Sequence, residues 1–326
     1  MSNKKVKWGI ISCAGIAEGQ TIPGLLEADN AELYAISGRT EEKLNRFKEK
    51  FKPVKAYDNY EDLLDDPEVD AIYIPLPNGL HCEWAIKAAE KKKHILCEKP
   101  LAINEEEVRK MQKACDDNGV MLMEAFASRH SPVLRAVKKM VDDGKIGQLK
   151  FVETHFTFVL GDTGNVRLNK SIGGGATFDV GAYTVGTIRE LVGREPVSVQ
   201  SVGSIDPTSG VDMTSCILID FGDGLMATAY SSFSTYGWSG YTVSGDAGRI
   251  EVAVNYNACG DLPVKVFCDN KEETLIIKTP NNYKLEFEQF GRCILDGETP
   301  LVTYEDSIGN AVVIDQALAQ IFKDEQ

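Results

Sequence analysis

The stretch from Ile72 to Pro100, IYIPLPNGLHCEWAIKAAEKKKHILCEKP, decides the fold of this chain. It begins with a short apolar run that breaks at Pro75, enters a helix after Asn78, and returns through a second apolar run at residues 94–97. The pattern predicts a strand, a helix and a second strand. Because such crossovers are right-handed, the two strands should be parallel neighbours in one sheet.

The helix within this stretch supports the same interpretation. Its small residues Ala85, Ala88 and Ala89 share one narrow face, which suits close packing on a sheet. Parallel neighbours end at the same edge of a sheet, and open parallel sheets bind ligands outside that edge. The turn at residues 75–78 and the turn at residues 98–100 should therefore meet over one crevice.

Strands alternate with helices on both sides of this stretch. Apolar runs at residues 6–12, 32–37, 69–74, 94–97 and 120–125 are separated by helical patterns. This alternation predicts an α/β fold, a doubly wound parallel sheet of the Rossmann type. The 326 residues are too many for one ordinary core, so we expect two domains, with the Rossmann domain at residues 1–125.

The pattern changes after residue 126. A bridging helix at about 132–143 precedes a long alternating strand at 149–160, which places Val152, Thr154, Phe156 and Phe158 on one face. Shorter strands follow, several of them joined by tight turns, and such neighbours pair antiparallel. Two helices close the chain. Residues 126–326 are therefore predicted to form an α+β domain, an open and mainly antiparallel sheet with helices on one face.

Composition narrows the range of partners. The net charge of −14 argues against nucleic acid or an anionic membrane, because either partner needs a dense basic surface. The eight cysteines form no C-x-x-C pair and the four histidines have no zinc spacing, so no metal site is predicted. Scattered thiols indicate a reducing compartment, and neither a signal peptide nor a membrane span is recognisable. We expect a cytoplasmic protein.

The turn after the first strand, GIISCAGIA at residues 9–17, is typical of a weakened dinucleotide fingerprint. Such a turn needs small residues so that the backbone can turn tightly and a helix N-terminus can approach a pyrophosphate. Two glycines remain, with serine and alanine where further glycines are usual. The alternative is a tight turn that binds nothing. The predicted cofactor-binding residues here are Gly9, Ser12, Ala14, Gly15 and Ile16.

The end of the second strand predicts which nicotinamide cofactor is bound. The chain reads Ser37-Gly38-Arg39-Thr40 there, without the acidic residue that binds the ribose 2′-hydroxyl of NAD. Arg39 instead offers a guanidinium to a 2′-phosphate, which favours NADP, with NAD as the alternative. The other interpretation of Arg39 is a solvated surface residue.

Lys99 is the first candidate for chemistry. It follows the buried run Ile95-Leu96-Cys97 and so emerges from a strand end into the predicted crevice. A lysine in this position can hold its charge next to a tyrosine and lower the pKa of that tyrosine. The alternative is an ordinary surface lysine.

A candidate tyrosine occurs in GGGATFDVGAY at residues 173–183. Asp179 and Tyr183 are four residues apart, so on a helix both project from one face, and the glycines at 173–175 let the helix start approach another surface closely. The alternative is a glycine loop followed by a helix whose aspartate is favoured by the helix dipole.

The turns PLPNGLH and EKP, the VRL at residues 166–168 and the GGGATFDVGAY segment together resemble the Gfo/Idh/MocA oxidoreductases. Within this family the sequence is most similar to the branch of glucose-fructose oxidoreductase, NADP-dependent D-xylose dehydrogenase and dimeric dihydrodiol dehydrogenase. The resemblance covers nearly the whole chain. It implies an NAD(P)-binding first domain and a second domain that binds substrate and forms homodimers or larger homo-oligomers through its sheet.

The resemblance also implies roles for single residues. Lys99 matches the catalytic lysine, Asp179 the substrate-orienting aspartate, and Tyr183 the proton-transferring tyrosine of this family. Cofactor contacts are implied for Leu76, Pro77, Asn78, His81, Glu98, Lys99 and Arg167. The chain departs from the family pattern at Ser12 and Ala14, at Gly38, where NADP-preferring relatives often have serine, and after Glu124-Ala125-Phe126, where Met-Tyr is absent.

The resulting hypothesis is an NADP-dependent oxidoreductase that acts on a sugar or another small polyhydroxylated or carbonyl substrate. The alternatives are an NAD-linked inositol or sugar dehydrogenase and a non-catalytic NADP-binding regulator. Loops near residues 126–131, 160–172 and 234–240 are predicted to line the substrate pocket. Phe126, Tyr236 and Trp238 are candidates for stacking on a sugar face.

Overall fold

The computed structural model describes residues 4–323, which divide into two compact units. The first unit comprises residues up to His130 together with Asn281–Ser307. The second comprises Ser131–Pro280 and the residues from Ile308 onward. Residues 281–307, which the sequence analysis placed with the second domain, thus group with the first unit. The functional division at residues 125 and 126 stays a prediction.

The elements are numbered in chain order. The strands are β1 Val6–Ile11, β2 Ala31–Ser37, β3 Lys55–Tyr57, β4 Ala71–Ile74, β5 His94–Glu98, β6 Leu122–Ala125, β7 Leu149–Val159, β8 Ser198–Ile205, β9 Asp212–Asp220, β10 Met226–Ser232, β11 Ser234–Gly245, β12 Gly248–Val252, β13 Gly260–Cys268 and β14 Lys271–Thr279. The α-helices are α1 Ile22–Glu27, α2 Glu41–Phe51, α3 Tyr60–Asp65, α4 His81–Glu90, α5 Glu105–Asn118, α6 Pro132–Asp142, α7 Ala182–Val192, α8 Asn282–Asp296 and α9 Tyr304–Ile321.

Shorter helical turns complete the described structure. Two are π turns, Ala17–Thr21 before α1 and Thr177–Gly181 before α7. The 3₁₀ turns are Asn78–Leu80, Ala127–His130, Val166–Leu168 and Lys170–Ile172.

The first unit contains the predicted parallel sheet, in the order β3-β2-β1-β4-β5-β6 over the described residues. β4 and β5 pair in parallel from Ala71 opposite His94 to Ile74 opposite Cys97, so the crossover prediction is confirmed. β3 was not predicted. It has three residues, none of them buried, and so carries too little apolar pattern to be recognised.

Aromatic packing explains why α8 belongs to the first unit. Trp8 of β1 is fully buried and meets Phe287 of α8 edge to face, with ring centroids 4.8 Å apart. Tyr73 of β4 packs against the same phenylalanine at 5.9 Å. The aromatic stripe of α8 is therefore part of the core of the Rossmann unit.

The second unit contains a sheet of order β14-β13-β12-β11-β7-β10-β9-β8 in the part of the chain that the structure describes. Its pairs are antiparallel except for β7 with β10, which confirms the mainly antiparallel prediction. Alternation along β7 buries Val152 and Thr154 on the helix-covered face, where the Thr154 hydroxyl donates to the Thr184 carbonyl of α7 at 3.3 Å. The opposite face of the sheet, here called the open face, carries the alternate residues.

The predicted loop at residues 234–240 is wrong, because these residues form the first half of β11. The strand pairs with β7 through Ser234 opposite Val159 and Trp238 opposite Thr157, with a register shift between them. This irregularity disturbs the simple alternation of side chains, and so the sequence pattern did not indicate a strand here.

Candidate active site

The first strand-to-helix turn keeps the backbone shape of a glycine turn without its full set of glycines. Ser12 adopts a left-handed conformation, φ 84°, which glycine normally supplies. Its N–H donates to the Ser37 carbonyl at 3.0 Å, which holds the turn against the end of β2. Gly9 lies inside β1, where a Cβ would come within 2.8 Å of Leu63. Gly9 is thus required for packing, and its contact with a cofactor stays a prediction.

The turn fits a dinucleotide. Gly15 is exposed, and a Cβ placed on it would meet nothing within 4 Å, so the helix start is open to an approaching group. Ala14 and Ile16 on either side are partly exposed. The N–H groups at a helix start are suited to a pyrophosphate.

A close contact explains why residue 38 is glycine. A Cβ on Gly38 would lie 2.7 Å from the sulfur of Cys13, so serine at this position would collide with the first turn. Cys13 is buried, and burial raises the pKa of its thiol to about 11. The departure from serine therefore follows from packing between these two turns.

Arg39 follows directly and is exposed. Its guanidinium lies 5.4 Å from the centroid of the Tyr60 ring, a cation–π distance. The aromatic ring holds a positive charge at the carboxyl end of β2, where the ribose of a dinucleotide lies in Rossmann folds. Tyr60 was not singled out from the sequence, because nothing in its local pattern connects it with Arg39.

His81 ties the two predicted crevice turns together. Its ring is fully buried, with Nε2 2.7 Å from the Leu76 carbonyl oxygen and Nδ1 3.0 Å from the Pro100 carbonyl oxygen. The expected meeting of the two turns is thus observed. Burial lowers the pKa of His81, although backbone hydrogen bonds oppose the shift. The direct cofactor contact implied for His81 stays a prediction. In the structure, the buried ring links the two turns through hydrogen bonds.

The other residues of these two turns lie near His81 in the chain or in the sheet. Leu76 is buried, whereas Pro77 and Asn78 are partly exposed at the turn into α4. Glu98 and Lys99 are partly exposed at the end of β5. The Glu98 carboxylate accepts a short hydrogen bond from the Tyr73 hydroxyl and a bond of 3.2 Å from the Lys99 backbone N–H. The Glu98 carboxylate therefore links the Lys99 backbone to the buried Tyr73.

In the second unit, the glycine loop folds back on the turn that carries Arg167. The Gly175 N–H donates to the Arg167 carbonyl at 2.9 Å, and a Cβ on Gly174 would lie 2.5 Å from that oxygen. Gly175 also has φ 124°, which strongly favours glycine. The predicted close approach at residues 173–175 is confirmed for these two glycines.

The loop brings Arg167 to Asp179. The Arg167 Nε donates to Asp179 Oδ2 at 2.5 Å, and the carboxylate side chain is 16% exposed while that of the arginine is 41% exposed. The charge of Asp179 raises the pKa of Arg167, against the effect of burial. This ion pair was not predicted, since the sequence analysis assigned Arg167 to the cofactor and Asp179 to the substrate separately.

Asp179 and Tyr183 lie in one continuous helical segment with a change in winding. Asp179 belongs to the π turn Thr177–Gly181, and Tyr183 lies in the first turn of α7. The i to i+4 geometry assumed for a regular α-helix therefore does not apply across this segment. π turns occur often at functional sites, and this one carries the candidate aspartate.

Tyr183 is partly exposed and held by aromatic rings. Its ring centroid lies 5.4 Å from that of Phe156 and 5.6 Å from that of Tyr256. The Asn257 side-chain amide donates to the Tyr183 hydroxyl oxygen at 3.2 Å. The phenol is thus oriented by its ring contacts and contacted at its oxygen by a polar donor.

Asp212 secures the start of the helix that carries both candidate residues. It is 1% exposed, and its Oδ2 accepts from the Thr177 N–H and hydroxyl, each at 2.7 Å. Burial raises the pKa of Asp212 to about 6, although the bonds from Thr177 act in the opposite direction. Asp212 and Asn257 were missed because they are distant in sequence from their partners and belong to no motif.

Trp238, one of the three candidates for stacking on a sugar, lies on the open face. Trp238 pairs with Thr157, the neighbour of Phe156 in β7. Its side chain therefore projects from the opposite face of the sheet to Phe156, which packs against Tyr183. Trp238 stacks on His155 of the same open face at 3.5 Å, and Tyr236 is 88% exposed. Phe126 is 2% exposed and lies within the first unit. The stacking roles of Phe126, Tyr236 and Trp238 stay predictions.

Within residues 4–323, no cluster of three or more histidine, cysteine or acidic side chains could hold a metal ion. No helix in the same range has the length and apolar content needed to cross a membrane.

Comparison with known proteins gives the same family over both units. The model of the oxidoreductase family with an NAD-binding Rossmann fold matches residues 6–126, and that of the GFO/IDH/MocA C-terminal domain matches residues 134–251. The D-xylose 1-dehydrogenase (NADP(+)) 2 of Haloferax volcanii is 33% identical, over 94% of this chain and 95% of its own length.

Comparison with solved structures supports the same family. A 3-ketoreductase from Actinomadura kijaniata, in complex with NADP and TDP-benzene, superposes with a TM-score of 0.92 at 26% identity over 98% of each chain. An aldose-aldose oxidoreductase from Caulobacter crescentus, complexed with glycerol, gives a TM-score of 0.92 at 27% identity, also over 98% of each chain. With family models covering both units and a relative 33% identical over nearly its whole length, the chain belongs to the GFO/IDH/MocA family of NAD(P)-dependent oxidoreductases.

Proposed function

We propose that this oxidoreductase is linked to NADP and acts on a sugar or a similar polyhydroxylated or carbonyl substrate, with Tyr183 as its proton-transfer group. The observation that carries the proposal is the grouping of the Tyr183 hydroxyl, held by Asn257, with an aspartate held by Arg167 in the same helical segment. The relatives named above support the substrate class, since they include a xylose dehydrogenase, a 3-ketoreductase and an aldose-aldose oxidoreductase.

Each protein group has one task in the proposed reaction. When bound, the nicotinamide supplies or accepts the hydride. In the oxidation direction, Tyr183 acts as the base that takes the proton from the substrate hydroxyl. Lys99 supplies a positive charge that stabilises the tyrosinate. Asp179, oriented by Arg167, hydrogen-bonds a substrate hydroxyl and so fixes which carbon faces the cofactor.

The cofactor is held in this proposal by the first-unit turns. Ser12, Ala14, Gly15 and Ile16 surround the pyrophosphate site, and Arg39 binds the 2′-phosphate. Two further turns lie on the nicotinamide side in this proposal. One contains Leu76, Pro77 and Asn78, and the other contains Glu98 and Lys99. The His81 ring links the two turns through hydrogen bonds.

The Arg39→Ala variant should bind NADPH about 10-fold to 100-fold more weakly, because a charge-assisted hydrogen bond to the 2′-phosphate is lost. NADH has no such phosphate, and its affinity should stay within about twofold. Fluorescence titration of the reduced cofactors measures both dissociation constants.

The control for this variant is Arg109→Ala, which removes an exposed arginine of α5 in the same unit. It should leave both affinities unchanged. Equal losses for NADPH and NADH in Arg39→Ala would contradict the 2′-phosphate assignment. A wild-type preference for NADH would favour the NAD-linked dehydrogenase instead.

We further propose that the open face forms the homo-oligomer. Three apolar side chains on its neighbouring strands β8, β9 and β10 are exposed, namely Val202 (71%), Leu218 (41%) and Met226 (45%). Cys216 is exposed between them and pairs with Val202 and Tyr230 on either side. Exposed apolar side chains grouped on one sheet face are typical of a protein contact.

The Leu218→Glu variant should weaken self-association at least about tenfold, because a two-fold contact would place two like charges in one apolar interface. Light scattering after size-exclusion chromatography, over a range of protein concentrations, measures the change. Val54→Glu is the matched control, since Val54 is 62% exposed in the first unit. A Leu218→Glu protein with the wild-type mass at every concentration would rule this face out.

The state of the cysteines bears on the cellular compartment of the protein. All eight cysteines are free thiols, and four of them are buried. Free thiols persist in a reducing compartment, which supports a cytoplasmic location in this proposal.

The test of the proposed function is turnover by the purified protein. Absorbance of the reduced nicotinamide is followed with a panel of aldoses, inositols and dicarbonyls, beside the two cofactor titrations. The proposal predicts tight NADPH binding and turnover of at least one compound. Tight NADPH binding without turnover of any compound would favour a regulatory protein.

A further inference from the structure

We propose that Asn257 is a further catalytic residue, whose side-chain amide donates a hydrogen bond to the reacting oxygen of Tyr183 and stabilises its tyrosinate form. This inference rests on the proposed function, in which Tyr183 transfers the proton. No family motif in the sequence contains Asn257, which lies in the loop at residues 253–259 between β12 and β13.

The contact is direct. Asn257 Nδ2 lies 3.2 Å from the Tyr183 hydroxyl oxygen, although the two residues are 74 positions apart. The side chain therefore reaches the phenol from a different element than the helix that carries it. A donor at this oxygen favours the charged form of the phenol, because a tyrosinate accepts a stronger hydrogen bond than a neutral hydroxyl does.

The loop that presents Asn257 is anchored on both sides of the residue. The Asn257 backbone N–H donates to the Asn255 side-chain oxygen at 3.0 Å, and the Ala258 N–H donates to the Asn255 carbonyl at 3.0 Å. Tyr256 is buried, and its hydroxyl donates to the Gly240 carbonyl at 3.1 Å. The backbone of Asn257 is thus held in place before any proton moves.

Tyr256 does not compete for the proton. Burial raises its pKa well above the ordinary value for a tyrosine, so its hydroxyl stays neutral. Its oxygen also lies 3.4 Å from the His155 carbonyl, which directs the hydroxyl toward the sheet backbone. The Tyr183 oxygen, by contrast, is met by the side-chain donor of Asn257.

Two charged groups of the second unit, Arg167 and Asp179, lie near Tyr183, and the proposed function adds the charge of Lys99. Arg167 interacts favourably with a negative Tyr183, and Asp179 both neutralises part of this arginine charge and repels a tyrosinate. The other facing groups, Phe156, Tyr256 and Asn257, are uncharged at neutral pH. Because an amide does not titrate, the contribution of Asn257 should be the same over the whole working pH range.

In the reduction direction, hydride from the reduced nicotinamide adds to the substrate carbonyl carbon, and the carbonyl oxygen takes the Tyr183 proton. The electron pair of the broken O–H bond remains on the Tyr183 oxygen, where the Asn257 N–H meets it. Oxidation runs through the same positions in reverse, with the tyrosinate as base.

Two variants test this role. Asn257→Ala removes the donor, and Asn257→Asp keeps the shape of the side chain but presents a carboxylate that only accepts. Since a hydrogen bond to a charged group is worth about one to two pKa units, the pH profile of kcat for oxidation should move upward by about that amount in Asn257→Ala. It should move further in Asn257→Asp, because the carboxylate repels the tyrosinate.

A merely structural role would not produce this pattern. The dissociation constant for NADPH and the thermal midpoint should stay close to wild type in Asn257→Asp, while its pH profile shifts. Asn257→Gln, which keeps the amide, should restore part of the profile. Unshifted profiles in both Asn257→Ala and Asn257→Asp, with Tyr183→Phe strongly impaired, would overturn the inference and leave the proposed function standing. Full activity in Tyr183→Phe would instead remove the proposed function itself.

Discussion

The Tyr183→Phe variant is expected to lose about a hundredfold to ten-thousandfold in kcat, which is the usual contribution of a positioned proton-transfer group. The substitution removes only the hydroxyl oxygen. The ring should keep its contacts with Phe156 and Tyr256, so the fold of the second unit and the affinity for NADPH should be retained. Steady-state kinetics with a fixed substrate and a cofactor titration measure the two quantities separately.

The neighbouring tyrosine provides a matched control. Tyr256→Phe also removes one hydroxyl from the same aromatic cluster, but that hydroxyl donates to backbone carbonyls of the sheet. It should cost about 1 kcal/mol of stability, the net value of an ordinary hydrogen bond, with kcat lowered much less than in Tyr183→Phe. Equal turnover in Tyr183→Phe and wild type would exclude Tyr183 from the proton transfer.

The second large effect is expected at Lys99. Lys99→Met should lower kcat by about a hundredfold to a thousandfold, the cost of removing one group that stabilises charge in the transition state. The side chain of methionine is similar in length, so the packing of the strand end should change little. Lys99→Arg, which keeps the charge, should retain more activity than Lys99→Met does.

Lys110→Met is the control for general effects of charge. Lys110 is an exposed lysine of α5 that pairs with Glu106 at 2.8 Å in the same unit. Its replacement should leave kcat unchanged. If Lys99→Met kept full kcat and only weakened cofactor binding, Lys99 would be a cofactor ligand without a catalytic role.

Local pattern was sufficient to predict most of the first unit. The crossover from residue 72 to residue 100 was recognisable because its strand, helix and strand each carry a strong periodic signal in few residues. The alternation along β7 likewise predicted that Thr154 and Phe156 share one face, and both contact residues of α7. Where the signal was short or irregular, as in β3 and the first half of β11, the prediction failed.

Contacts between distant residues could not be predicted in this way. The sequence indicated that Asp179 and Tyr183 carry chemistry, but nothing local connects Asp212 with Thr177 or Asn257 with Tyr183. The grouping of α8 with the Rossmann unit could not be predicted for the same reason, because its aromatic stripe would fit any apolar partner. Pattern reveals which face of an element is buried, while the identity of its partner depends on the folded chain.

The burial of His81 shows the same limit for a motif residue. Its position in the turn motif implies a cofactor contact, yet its ring is fully buried between two carbonyl groups. A residue in a motif can therefore serve the site by supporting the turns that are predicted to touch the ligand.

The central claim is hydride transfer from NADPH to a sugar-like carbonyl, and isotope transfer tests it most directly. The wild-type protein would be incubated with NADPH carrying deuterium at both C4 positions and a pooled panel of aldoses, ketoses and dicarbonyls, and the products analysed by mass spectrometry. We predict an alcohol product with one deuterium on the reduced carbon, absent when Tyr183→Phe is used for the same short time. NADPH binding without any deuterated product would contradict the account.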